Sequence, residues 1–217
     1  MKILVAIPCM DILPSLFCKS LVGMRTVGDV EYHFLMSSLI YDARNQICGK
    51  VLQGDYDRVL WLDSDMVLAP DTMERLSKRI DEGLEYVSGL YISRKRPFAP
   101  TIYKELALYT TPDGKKCPDA VVYRDYPHDS VFEIQASGMG VCMMTAQLVK
   151  DMTTEYGLPF SPVMGFGEDF SFCLRVAQAK RKMYCDSSIR AGHIGYMEVD
   201  EETYYWEESQ RLGVQNG

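Results

Sequence analysis

An apolar run that stops abruptly on two carboxylates constrains this chain more than any other stretch in it. Val59, Leu60, Trp61 and Leu62 are strand formers in unbroken succession, and Asp63-Ser64-Asp65 follows at once. Carboxylates are too costly to bury unpaired, so the pair belongs at the open, C-terminal end of the strand. Residues i and i+2 of an extended segment point the same way, so Asp63 and Asp65 are expected to face one small volume. Two carboxylates that close repel unless a proton, donor groups or a cation lies between them. Oxygen ligands favour Mg²⁺ or Mn²⁺. The plainer reading is a turn or helix cap, where Asp-x-Asp is common. Placement at the end of a buried strand, where open α/β sheets bind ligands, favours the functional reading.

Strand and helix alternate on both sides of that run. Residues 2–7 form a continuous β-rich stretch ended by Pro8, as in a central buried strand. Leu13, Leu16, Phe17, Leu21 and Met24 have helical spacing, and 30–36 reads as a second strand. Leu39, Ala43, Ile47 and Val51 recur at intervals of four on a helix that Ser38 can cap and Gly54 stops. Pro70-Asp71-Thr72 opens another helix, with Met73, Leu76 and Ile80 on one face and Lys78 and Arg79 in its last turn. Residues 86–92 supply a further strand. This alternation predicts an α/β fold with a mostly parallel sheet and right-handed crossovers. Beyond Pro97 the pattern changes. Prolines at 97, 100, 112, 118 and 127, with short strand candidates at 101–104 and 120–123, point to hairpins or a partly mobile excursion. Residues 132–144 return to strand character around Ser137-Gly138-Met139-Gly140. Helices are expected at about 145–156 and 169–180, a strand at 182–186, and an acidic, aromatic helix at 204–212.

Composition narrows the partners. With 217 residues, 47% of them hydrophobic, the chain suits one well-buried domain, 1–217, and requires no division. A formal net charge of −7 and the lack of a Lys/Arg-rich stripe argue against a nucleic-acid backbone as the main partner. The one dense basic cluster, Arg94-Lys95-Arg96, reads as a solvated turn or as a loop facing phosphate. The cysteines at 9, 18, 48, 117, 142, 173 and 185 are odd in number, form no Cys-x-x-Cys pair and lie mostly in apolar runs. They read as free thiols of a reducing, cytoplasmic setting, not as a disulfide frame or a zinc site. The apolar run at the start is too short for a signal peptide, and no run of about 18 apolar residues predicts a membrane span.

A second acidic pair, Glu168-Asp169, opens a helix whose apolar face includes Phe172 and Val176. Acids at a helix start complement its dipole for about 0.3–1 kcal/mol, which is the bland reading. A carboxylate held there can also serve as a general base, and Gly165 and Gly167 would let the backbone bend closely around a ligand. His193 lies between Gly192 and Gly195, which leave room for a metal and its diphosphate; a lone histidine is otherwise commonly a satisfied loop residue. One imidazole with two carboxylates suits Mn²⁺ or Mg²⁺ with positions open to phosphate oxygens. His33 and His128 have no assigned role.

A first strand ending in Pro8, then Ala43-Arg44-Asn45, Leu62-Asp63-Ser64-Asp65, Gly167-Glu168-Asp169 and Gly192-His193, in this order along nearly the whole chain, resembles the GT-A glycosyltransferases, most closely the family 2 group. The resemblance implies a single GT-A domain, with a nucleotide-binding half at 1–95, an acceptor-side half at 96–217, and an antiparallel strand or hairpin inserted in the sheet. It implies that Pro8 and Asp11 line the base pocket, that Arg44 contacts base or diphosphate, and that Asp63 holds the ribose or metal-bound water. It makes Asp65 a direct metal ligand, His193 a second ligand or diphosphate contact, and Asp169 the base for the acceptor hydroxyl, with Glu168 placing acceptor or sugar. Gly138-Met139-Gly140 resembles the small-residue floor under the donor sugar, and Arg94 opens the basic loop. Where many members carry a base-gripping acid after the second strand, this chain has Ser37 and Ser38. The implied activity is hexosyl transfer from a UDP- or GDP-sugar to an acceptor hydroxyl with Mn²⁺ or Mg²⁺, and with inversion. Two rivals remain. A nucleotidyltransferase would usually carry a Gly-rich basic loop after the first strand, and Ile7-Pro8-Cys9-Met10-Asp11 has none. A catalytically silent nucleotide-sugar-binding module would not need both Asp65 and Asp169.

Overall fold

The computed structural model of the chain describes residues 1–37, 39–195, 201, 205 and 208. The Ser38 cap lies outside the described residues, as does the helix expected at 204–212 apart from Tyr205 and Glu208.

The first part of the chain alternates as expected: β1 (Lys2–Cys9), α1 (Ser15–Gly23), β2 (Asp29–Met36), α2 (Ile40–Gln53), β3 (Arg58–Leu62), β4 (Met66–Val67), α3 (Thr72–Asp81) and β5 (Tyr86–Leu90). Pro8 lies within β1 and does not end it. Pairing with β3 stops at Ala6, while pairing with β2 continues to Cys9, so the imino residue sits where the ladder is one-sided. The proline-rich excursion is an ordered hairpin, β6 (Ile102–Thr110) and β7 (Lys116–Val122), closed where Gly114 takes φ 84° and donates its N–H to the Thr111 carbonyl at 2.8 Å. There follow β8 (Val131–Ile134), β9 (Ala136–Ser137), β10 (Val141–Thr145), α4 (Ala146–Tyr156), α5 (Glu168–Gln178), β11 (Met183–Arg190) and β12 (Gly192–His193).

Seven strands form one sheet in the order β2-β1-β3-β10-β5-β11-β8. β1 runs parallel to β2 and β3, and β5 to β11, but β10 lies antiparallel between β3 and β5, and β8 antiparallel on β11. The sheet is therefore mixed, and both halves of the chain contribute to it. β6 and β7 form a smaller sheet with β9, and β4 pairs with β12.

The period-2 alternation of each strand splits the core into two faces. Leu4, Ala6, Val59, Trp61, Cys142 and Met144 pack against Ile47 and Val51 of α2, Val149 and Met152 of α4, and Phe172 and Val176 of α5. Ile3, Val5, Leu60, Leu62, Val141 and Met143 pack against Phe17 and Leu21 of α1 and Met73, Leu76 and Ile80 of α3. Burial on both faces explains why these strands read as unbroken apolar runs. Leu16 falls on the expected apolar face of α1 yet is exposed. All seven cysteines are free, and no helix among the described residues is long and apolar enough to cross a membrane.

The chain passes from β1 to β2 on one side and returns to β3 on the other. The crevice beyond the C-terminal ends of β1 and β3 is thus the point at which strand order reverses, where open α/β sheets take ligands.

Candidate active site

That crevice holds a cavity of about 270 Å³ whose walls include Pro8, Arg44, Asp63, Asp65, Arg94 and Glu168. A second cavity of about 310 Å³ shares Asp63, Asp65 and Arg94 with it and adds Gly138, Asp169 and His193. Acids from the turn after β3 and from the start of α5, with the imidazole of β12, therefore converge on adjoining clefts.

The Asp63–Asp65 segment is a turn, not the extended strand that the i, i+2 argument assumed. β3 ends at Leu62, Asp63 N donates to the Gly140 carbonyl at 3.0 Å, and Met66 N donates back to the Asp63 carbonyl at 3.2 Å. The two carboxylates share the cleft but take different partners. Asp63 Oδ1 accepts from Arg44 Nη2 at 2.7 Å. Arg44 is 1% exposed, lies 5.7 Å from the ring centres of both Trp61 and Phe160, and brings its Nε to 3.7 Å from Glu168 Oε1. Burial alone would favour the neutral guanidine, but Asp63, Asp169 and Glu168 outweigh it and keep Arg44 charged. Its Nε and Nη1 make no hydrogen bond, so the guanidinium works mainly as a buried charge among acids.

Asp65 faces the other way. Its Oδ2 accepts from Arg94 Nη1 and lies 3.5 Å from His193 Nε2, while its buried Oδ1 has no partner. Burial pushes the Asp65 carboxyl up, but His193 and Arg94 pull it below the usual carboxylate value. Asp65 in turn raises His193 above the ordinary imidazole value, against the opposing effect of burial. The two loops are stitched together: His193 pairs with Met66 and Gly192 with Val67, and Ile194 N donates to the Asp65 carbonyl at 2.7 Å. His193 Nδ1 lies 2.9 Å from the Ile92 carbonyl, which fixes the ring with Nε2 towards Asp65.

Asp169 stands in the first turn of α5, beside Glu168. It keeps some surface open to the cleft but is closely walled. Burial, with Glu168 and Asp63, pushes its carboxyl up to about 6 against the pull of Arg44. Facing it is Gly138, where an added Cβ would lie 2.1 Å from Tyr91 Oη and 3.6 Å from Asp169 Oδ2. Only a residue without a side chain fits there. Tyr91 Oη accepts from Gly140 N at 3.0 Å, and burial raises its phenol far above the usual value, so it stays neutral.

Several expectations need correction. Asp11 is exposed and outside the cavity lining; Cys9, Met10, Ser37 and Ile40 stand there with Pro8. Gly140 is buried behind Tyr91 and meets the cleft indirectly, through Asp63, whose N–H its carbonyl accepts, and through Tyr91, to which its N–H donates. Arg44 is turned inward to the acids, not presented as an open phosphate contact. Gly165 does take φ +82°, but its turn packs on Pro118 of β7 rather than around the cleft. Tyr91, Thr101, Tyr103 and Phe170, which also wall the second cavity, were not anticipated. Within apolar or mixed runs their residue types carry no distinguishing signal.

Among the described residues, no group of three or more His, Cys, Asp or Glu side chains is gathered to hold a metal ion. Asp63, engaged by Arg44, does not join Asp65 and His193 in a ligand set. The remaining pair nonetheless fits a divalent ion. An unpartnered buried carboxylate oxygen beside an imidazole nitrogen that faces the same carboxylate is an arrangement that a cation relieves.

No protein-family model matches the chain, and no curated protein resembles it in sequence. Among solved structures it superposes on A197 from STIV with a TM-score of 0.63 at 21% identity, over 93% of this chain and 87% of that one. It also superposes on GalNAc-T7, solved with UDP, GalNAc and Mn²⁺, with a TM-score of 0.59 at 13% identity. That match covers 91% of this chain and 43% of the other, so the chain spans less than half the length of GalNAc-T7. The likeness to GalNAc-T7 establishes a GT-A fold. Neither match bears on the narrower likeness to the family 2 group.

Proposed function

We propose that the chain is a glycosyltransferase that moves a sugar from a nucleoside-diphosphate donor, a UDP- or GDP-sugar, to an acceptor hydroxyl. The observation that carries this reading is the convergence of Asp65, His193 and Asp169 on adjoining clefts at the reversal point of the sheet, with the Asp169 carboxyl pushed up to about 6. The UDP, GalNAc and Mn²⁺ in the GalNAc-T7 structure supply a precedent on the same fold.

In this reading the donor nucleotide lies over Pro8, Met10, Ser37 and Ile40, where apolar walls suit a base face. Arg94 and Lys95, which line the second cavity, face the diphosphate. Asp65 and His193 would hold Mn²⁺ or Mg²⁺. When bound, such an ion supplies positive charge to the departing diphosphate. Asp169 takes the proton of the acceptor hydroxyl, and its raised carboxyl makes it a better base near neutral pH than an ordinary aspartate. Glu168 and Arg44 hold that corner in register. With one base and direct attack on the anomeric carbon, the sugar is transferred with inversion.

Thermal denaturation tests the reading. UDP or GDP with Mn²⁺ at a hundred times Kd is expected to stabilise the chain by about 2.7 kcal/mol, and either nucleotide without metal by clearly less. No Mn²⁺-dependent stabilisation by any nucleoside diphosphate would remove its main support. Asp65→Ala is expected to abolish the metal-dependent part of nucleotide binding in calorimetry; an unchanged affinity takes Asp65 out of the metal site.

A further inference from the structure

Three cavities meet at one side chain. Arg94 lines both clefts of the candidate site and a further cavity of about 350 Å³ walled by Ile92, Phe98, Gly192 and His193. The loop that carries it is closed on itself: Ser93 N donates to the Ala99 carbonyl at 2.8 Å, and Ala99 N donates to Ser93 Oγ at 3.2 Å. On its other side the loop rests against Gly195, where an added Cβ would lie 2.9 Å from Arg94 Cβ. From this seat the guanidinium pairs with Asp65 Oδ2, the oxygen that also faces His193 Nε2. Any cation approaching the Asp65 carboxylate meets a positive charge already there.

We infer that Arg94 is a resident cation of the Asp65–His193 pair, that it competes with a divalent ion for the Asp65 carboxylate, and that a nucleoside diphosphate relieves the competition by offering the guanidinium an anion of its own. The inference deepens the transferase reading and rests on it. The Arg94 side chain is 46% exposed, so its ion pair is weak and the guanidinium can move away at small cost. A guanidinium forks onto phosphate oxygens in a bidentate pair that a single carboxylate oxygen does not offer. Two cations on one carboxylate repel each other. Metal and nucleotide therefore strengthen each other's binding, and by the same factor.

The test measures free Mn²⁺ by electron paramagnetic resonance in titrations of the full chain, alone and with UDP or GDP. It compares the native protein with Arg94→Ala and Arg94→Lys, with Asp65→Asn as the control that loses the site. Arg94→Ala is expected to bind Mn²⁺ alone about fivefold more tightly than the native chain, the equivalent of losing a half-exposed ion pair. Arg94→Lys, which keeps the competing charge, is expected to stay near the native affinity. The strengthening of Mn²⁺ binding by nucleotide is expected to shrink in Arg94→Ala. If Arg94→Ala binds Mn²⁺ no more tightly than the native chain, the inference is overturned, while persistent Mn²⁺–nucleotide binding leaves the transferase reading standing. If neither protein binds Mn²⁺ with or without nucleotide, both fall. Matching circular dichroism spectra exclude a folding defect as the cause.

Discussion

Asp169→Asn is expected to make the protein more stable and catalytically inert at once. The Asp169 carboxyl sits at about 6 in the folded chain against an ordinary 3.8. Between those values the folded state binds more protons than the unfolded one, so stability falls as pH rises through that window and is level above it. The difference corresponds to at most about 3 kcal/mol at neutral pH. Asparagine cannot ionise and removes that penalty, raising Tm by several degrees in a chain of this size. The same change deletes the proposed general base, which is expected to lower kcat about 10²–10⁴-fold while nucleotide affinity persists. On the proposed transferase reading, the acid limb of the native chain's pH–rate profile is expected near 6. A variant that loses stability, or that transfers sugar at the native rate, contradicts the assignment.

Arg44→Met is expected to do the reverse to stability and to move the pH profile as well. Methionine fills similar space between Trp61 and Phe160 but leaves Asp63, Glu168 and Asp169 without the buried charge that faces them. Breaking a buried pair by removing one partner costs about 3–5 kcal/mol, and the partial exposure of Asp63 places this case towards the lower figure. Arg44 is also what pulls the Asp169 carboxyl down, so in Arg44→Met the acid limb of any remaining activity shifts to higher pH. Urea denaturation reads the first effect and the pH–rate profile the second. Arg44→Lys is expected to restore the charge and most of the pH position but only part of the stability, since lysine lacks the planar guanidinium that lies over Trp61 and Phe160. A loss of stability with an unmoved pH profile would make Arg44 a packing residue alone.

Residues that break a pattern were the legible ones. Asp63 and Asp65 interrupt an apolar strand, Glu168 and Asp169 open an apolar helix, and His193 stands among glycines, so each marks the end of an element. In a sheet of this kind such ends cluster along one rim. An antiparallel strand in the sheet was expected from the resemblance, and β10 is one; its own residues do not reveal its direction, because a strand buried on both faces reads as the same apolar run whichever way it points. Nor was the inward turn of Arg44 legible. Ala43-Arg44-Asn45 lies on a helix face whose neighbours, Phe160 and Glu168, arrive from far along the chain. Tyr91 was hidden for a similar reason: a strand former in an apolar run looks like any other core residue, and only its proximity to Gly138 and Gly140 reveals what it supports. Asp11 erred in the opposite sense. It is an acid just past the end of β1, but the loop carries it out into solvent.

The two-residue ladder between β4 and β12 has a consequence for biogenesis. It ties the turn that carries Asp65 to residues from near the end of the described chain, so its closure pays a large loop entropy and belongs late in folding. A nascent chain on the ribosome can therefore possess β1, β3 and the Pro8 side of the crevice while still lacking the ladder that seats Asp65 beside His193. If the proposed Mn²⁺–nucleotide binding holds, its acquisition during synthesis would time-stamp the arrival of Gly192 and His193.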